Sequence, residues 1–318
     1  MKISLLEPLG VSEALIEELA GPIRERGHEF VYYPEKTTDP RELLSRSEDS
    51  EIVMIANNPY PASVVEGAKK LKLLNVAFTG IDHVAVEDCR KKGVMVCNAA
   101  NYSNETVAEL VIGMTLQLLR FLPRAQAAAR AGGTSAGLAG REISGKTVGI
   151  IGTGRIGLIT AKLFQAFGAR LIAYSRSRRP EAEAMGIEYV SLDELMEKAQ
   201  IISLHTPSNT STKNMISRDK IALMRKDAIF INCARGPIVD SQALADALNE
   251  GRIAGAGVDV FEMEPPLPKD HPLLLAKNCL VTPHIAFLSQ EAMVRRAHIA
   301  FENTCAYLDG TPRNVCEL

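Results

Sequence analysis

Three short segments in the second half of the chain, NCARGPIVD, GVDVFEMEPP and TPHIAF, each carry one side chain suited to chemistry: Arg235, Glu264 and His284. A guanidinium offers a planar fork that matches a carboxylate or the oxygens of a keto acid. An imidazole exchanges a proton near neutral pH, and a carboxylate can hold it and favour its charged form. Spacing alone does not bring the three together, and each taken singly is more often a structural hydrogen-bonder than a catalyst.

A fourth segment, KTVGIIGTGRIGLITAKLF, sets Gly152, Gly154 and Gly157 in GxGxxG spacing between a buried-strand pattern and a helical one. In that context the first glycine permits the tight turn, the second lets a pyrophosphate approach the backbone, and the third lets helix and strand pack closely. The helix that follows, with Arg155 and Ile156 at its start, turns amides and a positive dipole end toward the phosphates. The next strand pattern ends at Tyr174, and Ser175 then stands where an acid would bond the adenosine ribose of NAD. Arg176, Arg178 and Arg179 follow, and Ser175 with Arg176 suits the 2′-phosphate of NADP(H). Arg178 and Arg179 read equally well as solvated surface residues.

The elements that must position these groups follow an α/β rhythm. Short apolar runs (KISLL, EFVYY, EIVMIA, LKLLNVAF, VMVCN) alternate with helical patterns near residues 11–26, 40–47 and 61–70, which predicts a parallel sheet. A long helical stretch spans about 104–130 and is followed by the small, Gly-rich AGGTSAGLAGREISG, read as a loop or arm. The alternation then restarts from KTVGII and runs through RLIAYS, QIISLHT, AIFINCA, AGAGVDV and CLVTPH, a second doubly wound sheet. The tail from Ser289 to Leu308 is helical by pattern and is expected to cross back to the first domain.

The 318 residues suffice for about two domains. A formal net charge of −2 gives no bulk electrostatic reason to bind nucleic acid or an anionic membrane. MKISLLEPLG is too short an apolar run for a signal peptide, and no stretch approaches the ~18 apolar residues of a membrane span, so a cytoplasmic location is expected. The six cysteines form no CxxC pair and read as free thiols, and no metal is expected.

Taken in order, GTGRIG, HTPSNTSTKNMI, NCARGPIVD, AGVDVFEMEPP with HPLL, and NCLVTPHIA closely resemble the D-isomer-specific 2-hydroxyacid dehydrogenase family over nearly the whole chain. The resemblance implies that Arg235 binds substrate carboxylate and carbonyl, that His284 is the acid/base, and that Glu264 is its hydrogen-bonded partner. It implies that Thr79 and Gly80 of FTGIDHV hold the substrate carboxylate through backbone amides, and that Tyr102 contacts substrate as in some lactate-type members. Thr106, Thr206, Pro207, Cys233, Ala234 and Asp259 match positions that line the cofactor, Asp259 near the nicotinamide amide. It also implies two doubly wound α/β domains with an active-site cleft between them: a flavodoxin-like substrate domain over 1–100 and 286–318, and an inserted Rossmann cofactor domain over 101–285. A homodimer embraced by the 104–130 helix and the arm after it is implied as well.

The chief expectation is reduction of a small 2-keto acid such as glyoxylate, hydroxypyruvate or pyruvate to a D-2-hydroxy acid, with NADP(H) favoured and NAD(H) as the alternative. Phosphoglycerate oxidation ranks lower, because IANNPYPAS lacks a base for a substrate phosphate. Phosphite-type relatives keep the same Arg, Glu and His. Formate-type relatives place Gln where Glu264 stands and are disfavoured. A reading of another class is a non-catalytic dinucleotide-sensing binding protein, which the complete catalytic set opposes.

Overall fold

The computed structural model describes all 318 residues. The chain divides into two compact units, Met1–Ser103 with Leu288–Leu318, and Asn104–Phe287. The first unit opens with β1 (Lys2–Leu5), α1 (Glu13–Glu25), β2 (Glu29–Tyr32), α2 (Pro40–Ser47), β3 (Ile52–Ile55), α3 (Ala62–Gly67), β4 (Leu73–Val76), α4 (Val86–Lys92) and β5 (Met95–Asn98). Its five strands are all parallel, in the order β2-β1-β3-β4-β5. Strands β3 and β4 are buried at every position, as strands covered on both faces by helices must be.

The second unit contains α5 (Asn104–Leu119), α6 (Leu122–Arg130), β6 (Thr147–Ile151), α7 (Arg155–Ala166), β7 (Arg170–Tyr174), α8 (Pro180–Ala184), β8 (Glu188–Tyr189), α9 (Leu192–Lys198), β9 (Ile201–Leu204), α10 (Arg218–Ala222), β10 (Ile229–Asn232), α11 (Ser241–Asn249), β11 (Gly255–Val258), α12 (Pro272–Leu275) and β12 (Cys279–Val281). Its seven strands are parallel in the order β12-β11-β10-β9-β6-β7-β8. One apolar layer packs α5 and α7 on the sheet through Val111, Met114, Ala161 and Phe164. The other packs α9 and α11 through Leu195, Met196, Leu244 and Leu248. The strand order reverses between β6 and β9, the switch point at which open α/β sheets bind ligands.

The last helix, α13 (Gln290–Leu308), belongs to the first unit. Ser289 caps it by accepting the Ala292 amide at 3.1 Å. Ala297, Ala300 and Phe301 complete the core around Ile3, Ile16 and Phe30. Within β4, the buried Asn75 amide donates to the Ala300 carbonyl at 2.6 Å and to Thr304 Oγ1 at 2.9 Å, which fixes the helix's register on the sheet.

The continuous helix expected over 104–130 is instead two helices bent by 57°. Pro123 has no N–H to return to the Leu119 carbonyl, and that carbonyl accepts Arg141 N–H at 2.9 Å. Phe121 takes the left-handed conformation at the break, φ 51°. No single helix is long and apolar enough to cross a membrane.

Candidate active site

The phosphate turn lies where β6 hands over to α7. Gly152 has φ +99°, and a Cβ there would sit 2.7 Å from the His205 carbonyl oxygen. A Cβ on Gly157 would sit 2.0 Å from the Gly152 carbonyl oxygen, so the helix meets the turn backbone to backbone. Gly154 differs, because nothing lies within 4 Å of the position its Cβ would take. As N-cap of α7 it supplies no side chain to the helix, which leaves the first-turn amides, including those of Arg155 and Ile156, to another acceptor. Beside the turn, Thr206 Oγ1 is buried without a hydrogen-bond partner. An open space over uncapped amides, with an unpaired hydroxyl beside it, fits the pyrophosphate of a dinucleotide.

The loop after β7 is tied to this turn at both ends. Gly152 N–H donates to the Tyr174 carbonyl at 2.8 Å. At the far end, Arg179 N–H donates to Tyr189 Oη at 3.0 Å, and Tyr189 Oη donates to Thr153 Oγ1 at 2.8 Å. Arg178 lies over the Tyr189 ring, 5.6 Å from its centre, and 3.9 Å from Glu183. Between the anchors, Ser175 is half-buried and Arg176 is exposed. Neither Thr153 nor Tyr189 was singled out by the sequence, since a tyrosine in a two-residue strand carries no motif.

Arg235 follows β10 and leads into a 3₁₀ turn at Gly236–Ile238. Asn232, at the strand end, accepts the Ala234 amide at 3.0 Å and donates to the Arg235 carbonyl at 3.1 Å, while Arg235 Nη1 donates to the Ala234 carbonyl at 2.8 Å. A Cβ on Gly236 would overlap the Phe261 carbonyl carbon at 1.9 Å. The loop of Arg235 therefore packs backbone to backbone on the segment that runs to Glu264. Beyond that segment, His271 accepts the Leu273 amide on Nδ1 at 3.3 Å, so its Nε2–H faces Glu262 at 3.1 Å. No motif in the sequence marks this pair.

His284 and Glu264 meet. Nδ1 lies 2.8 Å from one carboxylate oxygen and 3.1 Å from the other, with the imidazole 13% exposed and the carboxylate 74% exposed. The Phe287 ring stands edge-on to the imidazole at 5.3 Å. His284 has φ 56°, a left-handed conformation that a non-glycine residue holds only when its surroundings impose it. Those surroundings are Asp259, fully buried, whose carboxylate accepts Thr282 Oγ1 at 2.6 Å and the amides of Ile285 and Ala286 at 2.8 Å each.

The other residues expected at a site are distributed as follows. Thr106 is half-buried in the first turn of α5, and Pro207 accepts Thr212 Oγ1 on its carbonyl at 2.7 Å. Ala234 is half-buried, and Cys233 is buried with Sγ 3.9 Å from Met114 Sδ, its thiol pushed well above the usual range by burial. In the first unit, the Thr79 carbonyl accepts Asn98 Nδ2 at 2.8 Å. Gly80 is half-buried next to it. Tyr102 is 1% exposed, with its ring 6.1 Å from that of Phe78 and the Arg296 guanidinium 6.0 Å from its centre.

Residues 112–286 match the family model described as D-isomer specific 2-hydroxyacid dehydrogenase, NAD binding domain. The chain is 40% identical over 273 residues to a D-3-phosphoglycerate dehydrogenase of Methanocaldococcus jannaschii, covering 85% of this chain but 52% of that one, so it spans about half of that relative's length. It is 35% identical over 296 residues to a hydroxypyruvate reductase of Blautia hydrogenotrophica, covering 91% and 92% of the two chains. An acyclic imino acid reductase solved in complex with NADPH and D-arginine is similar over the full length of both chains, with a TM-score of 0.90 at 31% identity.

Proposed function

Because the chain belongs to the D-isomer-specific 2-hydroxyacid dehydrogenase family, and is with it a nicotinamide-dependent oxidoreductase, we propose that it reduces a small unphosphorylated 2-keto acid to the D-2-hydroxy acid with NADPH preferred over NADH. The observation that carries this reading is the hydrogen bond between His284 Nδ1 and Glu264. With Nδ1 turned to the carboxylate, Nε2 is the atom that exchanges a proton with substrate. Arg235 binds the substrate carboxylate and carbonyl oxygen with its fork and so orients the carbonyl carbon. The bound nicotinamide supplies the hydride to that carbon. His284 delivers its Nε2 proton to the carbonyl oxygen, so the C=O bond becomes a CH–OH, and Glu264 balances the charged ring from which the proton leaves. Oxidation of the hydroxy acid reverses each move.

The same proposal gives Thr79, Gly80 and Tyr102 to the substrate. It gives Thr106, Gly152, Gly154, Arg155, Ile156, Gly157, Ser175, Arg176, Thr206, Pro207, Cys233, Ala234 and Asp259 to the cofactor. Preference for NADPH is supported by Ser175 with Arg176 at the end of β7 and by the NADPH held in the imino acid reductase. A homodimer in the cytoplasm belongs to the proposal, and light scattering of the purified protein tests the dimer.

Phosphoglycerate oxidation is the second reading, favoured by the 40% identity to the Methanocaldococcus jannaschii enzyme. The loop IANNPYPAS, without a basic residue, ranks it lower. Assay of glyoxylate, hydroxypyruvate, pyruvate and D-3-phosphoglycerate with both cofactors tests the proposal. The expected result is the highest kcat/KM for an unphosphorylated keto acid with NADPH. Turnover of phosphoglycerate alone, or equal efficiency with NADH, overturns the corresponding part.

A further inference from the structure

We propose that Tyr189 is a positioning residue for cofactor selection, the strut that holds the Ser175–Arg179 loop in register with the phosphate turn. This inference rests on the reading of that loop as the site of the adenosine 2′-phosphate. The loop leaves β7 at Tyr174, whose carbonyl is held by Gly152 N–H, and ends at Arg179, whose N–H is held by Tyr189 Oη. Tyr189 Oη in turn donates to Thr153, the residue after Gly152. Both ends of one five-residue loop are thus fastened to two consecutive residues of the turn that faces the pyrophosphate.

The chemistry of the ligand gives this arrangement its purpose. In a dinucleotide the ribose 2′-phosphate lies at a distance from the pyrophosphate that the covalent skeleton limits, so two protein segments must be spaced to match it. A cation on a loose loop binds a phosphate as a screened surface charge, whereas one held in place gives directed, charge-assisted hydrogen bonds. The tyrosine hydroxyl accepts from one segment and donates to the other, which a phenylalanine cannot do. Arg178 also stands over the Tyr189 ring and lies 3.9 Å from Glu183. Arg178 is therefore committed to the strut, and Arg176, exposed between the two anchors, is the cation for the phosphate.

A network that merely supported the fold would act on both cofactors alike, whereas this one acts on the 2′-phosphate. The test measures dissociation constants of NADPH and NADH by quenching of nucleotide fluorescence on wild type, Tyr189→Phe, Thr153→Val and the double variant, with thermal unfolding to check the fold. The expected result is tighter binding of NADPH by wild type and a loss of about 3–10-fold in NADPH affinity in Tyr189→Phe, the scale of one hydrogen bond. NADH affinity stays within about 2-fold in that variant, below the effect of one hydrogen bond. Thr153→Val moves the same way, and the double variant is no worse than Tyr189→Phe, because Tyr189→Phe already removes the one bond that Thr153→Val breaks. Equal loss for the two cofactors, or loss for neither, overturns the inference and leaves the cofactor reading standing. Wild type binding both cofactors equally overturns that reading and the inference with it. If Tyr189→Phe does not fold, Thr153→Val decides on the same ratio.

Discussion

His284 and Asp259 are joined through the backbone: the His284 amide donates to the Asp259 carbonyl at 2.9 Å, while the Asp259 carboxylate takes the amides of the two residues that follow. Three donors converge on one buried carboxylate, counting Thr282, and together they hold the left-handed turn from which the imidazole projects. Replacing Asp259 by Asn leaves one acceptor oxygen and brings in two N–H groups that face other donors. Asp259→Asn is expected to lower stability by about 1–3 kcal/mol, measured by urea unfolding, as buried donors lose their acceptor. It is also expected to lower kcat as the His284 ring loses its fixed direction.

Arg235→Lys keeps a positive charge and loses the fork. Efficiency toward 2-keto acids is expected to fall about 10–100-fold, the value of a charged, paired hydrogen bond. Cofactor affinity, read by fluorescence titration, should not change. A lysine variant of wild-type efficiency would remove Arg235 from the carboxylate role.

His284→Ala is expected to abolish most of the chemical step while NADPH still binds. Glu264→Gln retains a hydrogen-bond acceptor for Nδ1 but removes the negative charge that faces the ring across the 2.8 Å contact. Its kcat for reduction is expected to fall while NADPH affinity stays unchanged. The measurement is kcat in the reductive direction, where a deuteride isotope effect establishes that hydride transfer limits the rate, beside a fluorescence titration of NADPH. A glutamine variant of wild-type kcat would take from Glu264 its part in supporting the acid.

The glycines of the phosphate turn separate folding from binding. A methyl on Gly157 meets the Gly152 carbonyl oxygen at 2.0 Å, and Gly157→Ala should destabilise the protein by about 1–3 kcal/mol, as overpacking does. A methyl on Gly154 projects into open space, so Gly154→Ala should unfold like wild type and yet bind both nucleotides more weakly. Parallel thermal unfolding and nucleotide titration distinguish the two.

What was legible in the sequence follows from how local each signal is. The GxGxxG turn and the alternation of buried strands with helices are read within a dozen residues, and both parallel sheets follow from them. The elements α4 (VEDCRKK), α8 (PEAEA) and β8 (EY) carry too few apolar positions for a period to show, and α12 (PLLL) is an unbroken apolar run with no period at all. The break at Phe121 had its cause in plain view at Pro123, but apolar spacing on both sides masked it. Contacts of long sequence separation were not legible: nothing in GPIVD announces that Gly236 must touch Phe261, nor does GTG announce that Thr153 meets Tyr189. The meeting of Glu264 with His284 was read from family resemblance and not from spacing, for the same reason.

The placement of α13 bears on how the chain folds as it is made. Strands β1 to β5 leave the ribosome first, but the Ala297, Ala300 and Phe301 side of their core arrives last. Asn104–Phe287 is continuous in the chain and can close on its own while the earlier sheet waits with one apolar face covered only in part, by α1. At synthesis rates of ~5–20 residues per second that wait lasts roughly ten to forty seconds. The vulnerable interval for a nascent chain therefore lies in the N-terminal sheet, and it ends when the last helix docks on Asn75.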